Sequence, residues 1–195
     1  AEEADEIIAH FGDGFDMPWF RTRCLIQGLA PLPLYKTVDT KAWASKYFYF
    51  NSNKLDYLGE ILGHGNKLDT DYELWRQVVL FNNRERLAYM VKYNKRDVIQ
   101  LEKVWNDLRF CVQPKTHAGV FQGGGKWTCA HCGSENVRKS KTRVTAHGVV
   151  RHQMRCNKCH SYYIINSIDY EKYQKETRKS PSCQKVANPE GMAKS

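Results

Sequence analysis

The chain has 195 residues, of which 42% are hydrophobic and 12% aromatic, so it can bury the core of one ordinary domain and of a small second one. No apolar run approaches the ~20 residues of a membrane span, and no charged-then-apolar leader opens the sequence. These observations exclude a membrane partner and favour a cytoplasmic protein. The net charge of +9 is uneven: residues 1–110 hold 15 basic and 16 acidic residues, whereas residues 111–195 hold 15 and 5.

The N-terminal part alternates strand-like and helix-like segments. Residues 7–10 predict the end of a buried strand, and a helix is expected over residues 17–27 with Asp16 as its cap. "KTVDT" predicts a short strand and "KAWASKYF" a helix behind it. Asp39 is expected as a cap at the strand end, and the alternative is a supporting polar residue of a functional site. The spacing of apolar residues in "NKLDYLGEILG" then indicates an amphipathic helix.

The second half of the chain is predicted to be helical first, then rich in short strands, and finally polar. Residues 71–110 are predicted to be helical almost throughout, with a break near "FNN", and short β-type runs occupy residues 126–165. The predicted division is a domain over residues 1–112, a glycine-rich linker over 113–125, a ribbon over 126–168 and a basic, disordered tail over 169–195.

Two C-x-x-C pairs are separated by 23 residues: Cys129 with Cys132, and Cys156 with Cys159. Each pair bends the backbone so that two thiolates can face one ion, and two pairs complete a tetrahedral site. The spacing therefore predicts a structural Zn²⁺ with no open coordination position. The alternative is a chance pairing of reduced cysteines. The segment 126–163 resembles the zinc ribbons of transposases and transcription factors.

The ribbon segment concentrates positive charge beside aromatic residues. Tyr162 and Tyr163 follow the second C-x-x-C pair. Six basic residues lie between the two pairs: Arg138, Lys139, Lys141, Arg143, Arg151 and Arg155. Basic side chains suit phosphates and aromatic rings suit bases, so nucleic acid is the expected partner, DNA more than RNA. The alternative is a solvated, zinc-stapled hairpin that binds nothing.

Two motifs carry carboxylates in positions suited to metal chemistry. "HFGDGFDM" places Asp13 and Asp16 in a glycine-rich turn, and "YMVKYNKRD" places Tyr93 and Asp97 one helical turn apart on one face. A carboxylate that can hold a divalent ion, with a phenol beside it, fits phosphodiester hydrolysis. A Tyr/Asp pair at this spacing is also common on an ordinary helix surface.

In their order and spacing, "ADEIIAHFGDGFDMPWF", "YKTVDTKAWASKYFYFNSNKLDYLGEILG" and "YNKRDVIQLEKVWNDLR" resemble the Tyr-containing branch of the DEDD 3′–5′ exonucleases, in the ribonuclease H-like superfamily. The resemblance implies an α/β fold: the helix-rich C-terminal portion of a ribonuclease H-like domain, followed by the small β zinc ribbon. It implies that Asp16 and Asp97 bind catalytic Mg²⁺ or Mn²⁺ and that Tyr93 orients the attacking water in a two-metal-ion reaction.

The chain departs from the family pattern in two ways. Phe11 occupies a position where the family commonly has Asn, and the first motif, Asp-x-Glu on the opening strand, is absent from the sequence. This departure leaves three alternatives. The chain is a fragment of a longer protein, or it is one half of a split enzyme whose separate chain or segment supplies Asp-x-Glu, or it is an inactive descendant. The function expected first is a nuclease, which would act in the host cytoplasm if phage-encoded. The alternatives are a non-catalytic nucleic-acid-binding protein on a degenerate nuclease scaffold and a structural role in a larger complex.

Overall fold

The computed structural model describes residues 4–30, 33–65 and 71–179, and it divides into two compact units, Ala1–Lys115 (unit 1) and Thr116–Ser195 (unit 2). Unit 1 contains β1 Glu6–Ala9, α1 Asp16–Ile26, β2 Lys36–Asp39, α2 Thr40–Tyr47, α3 Leu55–Ile61, α4 Tyr72–Phe81 and α5 Arg84–Leu108, with a 3-10 turn at Arg109–Cys111. Unit 2 contains α6 Ala118–Phe121, β3 Val137–Val144, β4 Val150–Cys156, β5 Tyr162–Asn166 and α7 Ser167–Lys179. The predicted mixed α/β composition is confirmed. The ribonuclease H-like arrangement stays a prediction.

Unit 1 is built on a parallel pair of strands. β1 pairs with β2 from Glu6 opposite Lys36 to Ala9 opposite Asp39, and α1 is the crossover that a parallel connection requires. The helices α2, α3 and α4 all contact α5. The core residues are Val38, Trp43, Ala44, Leu58, Val104, Leu108 and Val112. The apolar spacing that predicted helices thus marks the sides of α3 and α5 that face each other.

The two capping predictions in unit 1 have different outcomes. The Asp39 carboxylate accepts hydrogen bonds from the backbone N–H groups of Lys41 (3.0 Å) and Ala42 (3.2 Å), so the cap predicted at the strand end is the N-cap of α2. Asp16 does not cap α1: it is the first residue of the helix, and Phe15 holds the cap position without a side-chain bond. A carboxylate in the first helical turn still complements the helix dipole.

The break predicted near "FNN" separates α4 from α5. Asn82 adopts a left-handed conformation with a φ of +49°, and the Asn83 side chain accepts hydrogen bonds from the N–H groups of Glu85 and Arg86. Asn tolerates the left-handed region and caps helices well, so the two residues end one helix and begin the next. In the described ranges, no helix combines the length and the apolar character needed to cross a membrane.

Unit 2 is an antiparallel sheet in the order β3-β4-β5, covered on one face by α7. The ring of Tyr170 stacks on the ring of His152 with centroids 4.0 Å apart, and the ring centroids of Tyr173 and Trp127 are 5.6 Å apart. The sequence predicted a disordered tail from residue 169, and the structure corrects this as far as residue 179. Residues 180–195 lie outside the described residues.

The segment predicted to be a linker is also folded in part. The N–H of Ala118 donates to the carbonyl of Ala130 at 2.9 Å, which joins α6 to the first knuckle. A side chain on Gly119 would meet the Thr128 hydroxyl oxygen at 1.8 Å, so the glycine allows α6 to lie directly against this buried threonine. Residues 116–125 therefore belong to unit 2 rather than to a flexible connection.

Candidate functional site

The four predicted zinc ligands converge on one point. The sulfur atoms of Cys129, Cys132, Cys156 and Cys159 all lie within 4.8 Å of one another, with 3.5 Å between Cys129 and Cys159 and 3.7 Å between Cys132 and Cys156. Sulfurs at about 2.3 Å from a tetrahedral ion are separated by about 3.8 Å. The four cysteines therefore form a site that could hold a metal ion such as zinc.

The two knuckles repeat the same backbone pattern. The N–H of Cys129 donates to the carbonyl of Ser134, and the N–H of Cys156 donates to the carbonyl of Ser161, both at 3.0 Å. The equivalent bonds close two loops of the same size, each of which presents a pair of sulfurs to the centre. This repetition explains why two short motifs 23 residues apart build one nearly symmetric site.

The residue after each C-x-x-C pair has a positive φ, +73° at Gly133 and +61° at His160. Glycine adopts this conformation without cost, whereas other residues lose about 1–2 kcal/mol. His160 therefore follows the second pair in a strained conformation that the closed knuckle imposes. The sequence indicated the first turn through its glycine but contained no sign of the second.

Hydrogen-bond donors surround the sulfurs. Burial acts to raise the pKa of Cys156. The backbone N–H groups of Cys159 and Lys158, 3.5 and 3.4 Å from its sulfur, act together with the Cys159 and Cys132 thiols to lower the pKa to about 7. Burial raises the pKa of Cys132 to about 12. A cation is needed for all four thiols to ionise together, and metal binding would then release protons.

The opposite face of the sheet from α7 is strongly basic. Antiparallel partners share a face, so Arg138 lies opposite Arg155 and Arg143 lies opposite Arg151. We call this surface the five-cation face, and its members are Arg138, Lys141, Arg143, Arg151 and Arg155. Like charges directly opposite each other destabilise a sheet. Packing within the ribbon therefore does not account for this arrangement.

No carboxylate balances the five-cation face from within the sheet. The strands β3, β4 and β5 contain no Asp or Glu, and none of the five cations forms an ion pair with another residue in the part of the chain that the structure describes. The face is thus open to an external anion.

The sixth predicted basic residue lies elsewhere. A bulge between Lys139 and Lys141 changes the register, and Lys139 lies on the α7 side, with its ammonium 5.2 Å from the Tyr170 ring centroid. The two predicted tyrosines also separate. Tyr163 is on the α7 side and its hydroxyl donates to the Trp127 carbonyl at 2.6 Å, whereas Tyr162 is exposed on the five-cation face.

In unit 1, Tyr93 and Asp97 line one cavity of about 370 Å³. Both side chains are half-buried on the same side of α5, as their spacing predicted. The cavity is lined by His10, Phe11, Lys41, Lys54, Leu55, Asp56, Tyr93, Asp97 and Gln100. The turn after β1 and two helices therefore converge on the predicted Tyr/Asp pair.

Asp16 is not among the residues that line this cavity. It is exposed at the start of α1, and one of its carboxylate oxygens lies 3.8 Å from where a Cβ on Gly12 would be. Throughout residues 4–30, 33–65 and 71–179, the four cysteines are the only group of three or more potential ligands close enough to share an ion. Asp16 and Asp97 are therefore not joined there by a third carboxylate.

His10 is a cavity residue to which the sequence assigned no role. Its Nε2 lies 3.0 Å from the Asn53 carbonyl and its Nδ1 lies 2.9 Å from the Thr40 hydroxyl. A carbonyl only accepts, so Nε2 carries the hydrogen. Burial lowers the pKa of His10, which favours the neutral ring. The usable sequence signal was its place directly after the first predicted strand, at the end where parallel sheets hold functional side chains.

A scan against protein-family models found no match to this chain, and the searches of curated proteins and of solved structures found none either.

Proposed function

We propose that the protein is a metal-dependent nuclease, in which unit 1 hydrolyses phosphodiester bonds as a 3′–5′ exonuclease and unit 2 binds nucleic acid. The observation that carries the catalytic part is the cavity in which Tyr93 and Asp97 meet His10. A carboxylate and a phenol that line one cavity are groups that can hold a cation and orient water. His10, whose two ring nitrogens contact Thr40 and Asn53, holds the wall of this cavity in place.

Asp97 and Asp16 are the proposed ligands of Mg²⁺ or Mn²⁺, because these hard cations prefer carboxylate oxygens. When bound, the cations would supply an activated water and charge neutralisation at the leaving oxygen. Tyr93 positions the water through its hydroxyl. Two carboxylates form only part of a two-metal site, so the remaining ligands must come from elsewhere.

We propose that a separate chain or segment supplies the Asp-x-Glu pair. The support is the apolar surface of α1, where Trp19 and Ile26 are 56% and 66% exposed and Phe15, at the cap position, is 59% exposed. Exposed apolar side chains on one helix favour a covering partner.

Unit 2 is the proposed nucleic-acid-binding part, with DNA favoured over RNA. A structural zinc ion at the four cysteines would hold the sheet, and the five-cation face would bind phosphates. The unbalanced charge of that face, +5 from three residues on β3 and two on β4, is the observation that supports this role.

The second candidate is a nucleic-acid-binding protein without catalytic activity. One observation favours it: in the described part of the chain, only the cysteines form a ligand cluster. In this reading, the cavity around Tyr93 is a remnant of a nuclease scaffold.

The deciding experiment follows the degradation of 5′-labelled single-stranded DNA with Mg²⁺ or Mn²⁺, using protein purified from its native source with any companion chain retained. We expect Asp97→Ala to lower the cleavage rate by more than about 100-fold, because the metal loses a ligand, while binding without divalent cations stays near the wild-type value. Glu102→Ala, an exposed carboxylate on the same helix, is the matched control and should cleave normally. Cleavage by Asp97→Ala at the wild-type rate would refute the site. Tight binding by the wild type with no cleavage would leave the second candidate.

A further inference from the structure

Three rows of side chains cross the five-cation face from β3 through β4 to β5. The registers of both strand pairs define them: Arg138–Arg155–Tyr162, Lys141–Gln153–Ile164 and Arg143–Arg151–Asn166. The cations thus occupy β3 and β4, and the β5 side of the same face carries two large apolar side chains. The face has a charged half and an apolar half.

The apolar half is open. Tyr162 is 51% exposed and Ile164 is 49% exposed, on a face that α7 does not cover. The guanidinium carbon of Arg155 lies 5.6 Å from the Tyr162 ring centroid, so a cation and an aromatic ring are already adjacent there. An interface that recognised phosphates alone would gain little from these two side chains.

The exposed aromatic ring favours a single strand over a duplex. The unstacked bases of a single strand can reach Tyr162, whereas the bases of a duplex are stacked on each other.

We infer that the sheet of unit 2 binds single-stranded nucleic acid in an extended form, with phosphates along the cations of β3 and β4 and a base stacked on Tyr162. This inference rests on the proposed nucleic-acid-binding role of unit 2 and adds the strandedness of the ligand and the residue that recognises its bases. Stacking on a tyrosine is tolerant of sequence, so binding is expected to be largely non-specific.

The test measures the binding of the full-length, zinc-loaded protein to a fluorescent 15-mer of thymidine by anisotropy, without added Mg²⁺ or Mn²⁺. We expect Tyr162→Ala to weaken binding by about 5- to 150-fold, the range for loss of one stacked base. On a 15-mer of abasic sites the wild type should bind correspondingly more weakly, and Tyr162→Ala should then have no further effect. A parallel measurement with a 15-mer of uridine shows whether DNA or RNA binds more tightly. Tyr162→Ala is expected to weaken binding of the tighter ligand to the same extent.

A matched pair of lysines tests the charged half. Lys141→Ala removes a charge from the five-cation face and should reduce the slope of log affinity against log salt by about 0.7, as for one phosphate contact on a single strand. Lys139→Ala removes the same charge from the α7 side of the same strand and should leave the slope unchanged. Zinc content and circular dichroism verify that each variant is folded.

Two results would overturn the inference while leaving the nucleic-acid-binding role intact. One is equal affinity for the thymidine 15-mer and its abasic counterpart, and the other is tighter binding to a duplex of the same length. The absence of any binding would instead refute the binding role itself. Equal effects of Lys141→Ala and Lys139→Ala would refute the five-cation face as the binding surface. None of these results bears on cleavage by unit 1, because cleavage is tested separately with Asp97→Ala.

Discussion

The turn after β1 is shaped by one strained residue. Phe11 has a φ of +68°, a conformation that costs a bulky L-residue about 1–2 kcal/mol. Its N–H donates to the Asp39 carboxylate at 2.9 Å, and the Lys41 ammonium lies 3.8 Å from its ring centroid. These contacts offset part of the strain. Asn, which is common at this position in the family that the sequence resembles, tolerates the same conformation better.

The pKa of His10 gives a prediction for a single residue. Because burial lowers its pKa below the usual 6.5, the folded protein favours the neutral ring and the unfolded chain binds the proton more tightly. The stability from His10 is complete above pH 6.5 and declines as the pH falls from there towards the folded pKa. We expect the ring protons of His10 to titrate in NMR spectra with a midpoint below 6.5. The signal should vanish in His10→Asn, and a midpoint at or above 6.5 would contradict the burial argument.

At the scale of elements, the contact of α3 with α5 fixes the position of the Tyr/Asp pair. A Cβ on Gly59 would lie 1.5 Å from the Nε2 of Gln100, which is 4% exposed and donates to the Leu55 carbonyl. We expect Gly59→Ala to lower the free energy of unfolding by about 1–3 kcal/mol through overpacking, measured by urea denaturation. In a Gln100→Ala background the same change should cost much less. An equal loss in both backgrounds would show that the two residues are not coupled.

The sequence predicted those elements whose signals are local. The break at Asn82 and Asn83, the cap at Asp39 and the two knuckles follow from residues that lie next to each other in the chain. The five-cation face does not, because strict alternation would separate Arg138 from Lys141 and only the bulge brings them to one face.

Two other features also needed the folded chain to be recognised. Helix α7 has few apolar residues, and its packing depends on Tyr170 and Tyr173, whose partners lie in other elements. The cavity around Asp97 brings together residues from 10 to 100, so the sequence identified the α5 pair but not His10, which is held by Thr40 and Asn53. Both depend on contacts between distant parts of the chain.

At the scale of the whole molecule, the two units have separate cores, and only that of unit 2 includes the cysteines. We therefore expect Cys156→Ser to unfold unit 2, to release zinc and to weaken nucleic-acid binding by more than about tenfold, because a structural zinc site contributes folding energy directly. Unit 1 should keep its helices, seen as retained circular dichroism and a protease-resistant fragment. Cys111→Ser, at an exposed cysteine of unit 1, is the control and should change neither property. Unaltered binding by Cys156→Ser would contradict the role of the cysteines.

The facing arginines of β3 and β4 also give the free ribbon an internal repulsion. A polyanion that occupies the face removes this repulsion, so occupancy stabilises the folded sheet as well as forming new contacts. Simple salt acts in both directions, since it screens the arginines from one another while it competes with the polyanion. The ionic strength that releases a ligand from this surface therefore also weakens the repulsion between the arginines of the empty surface.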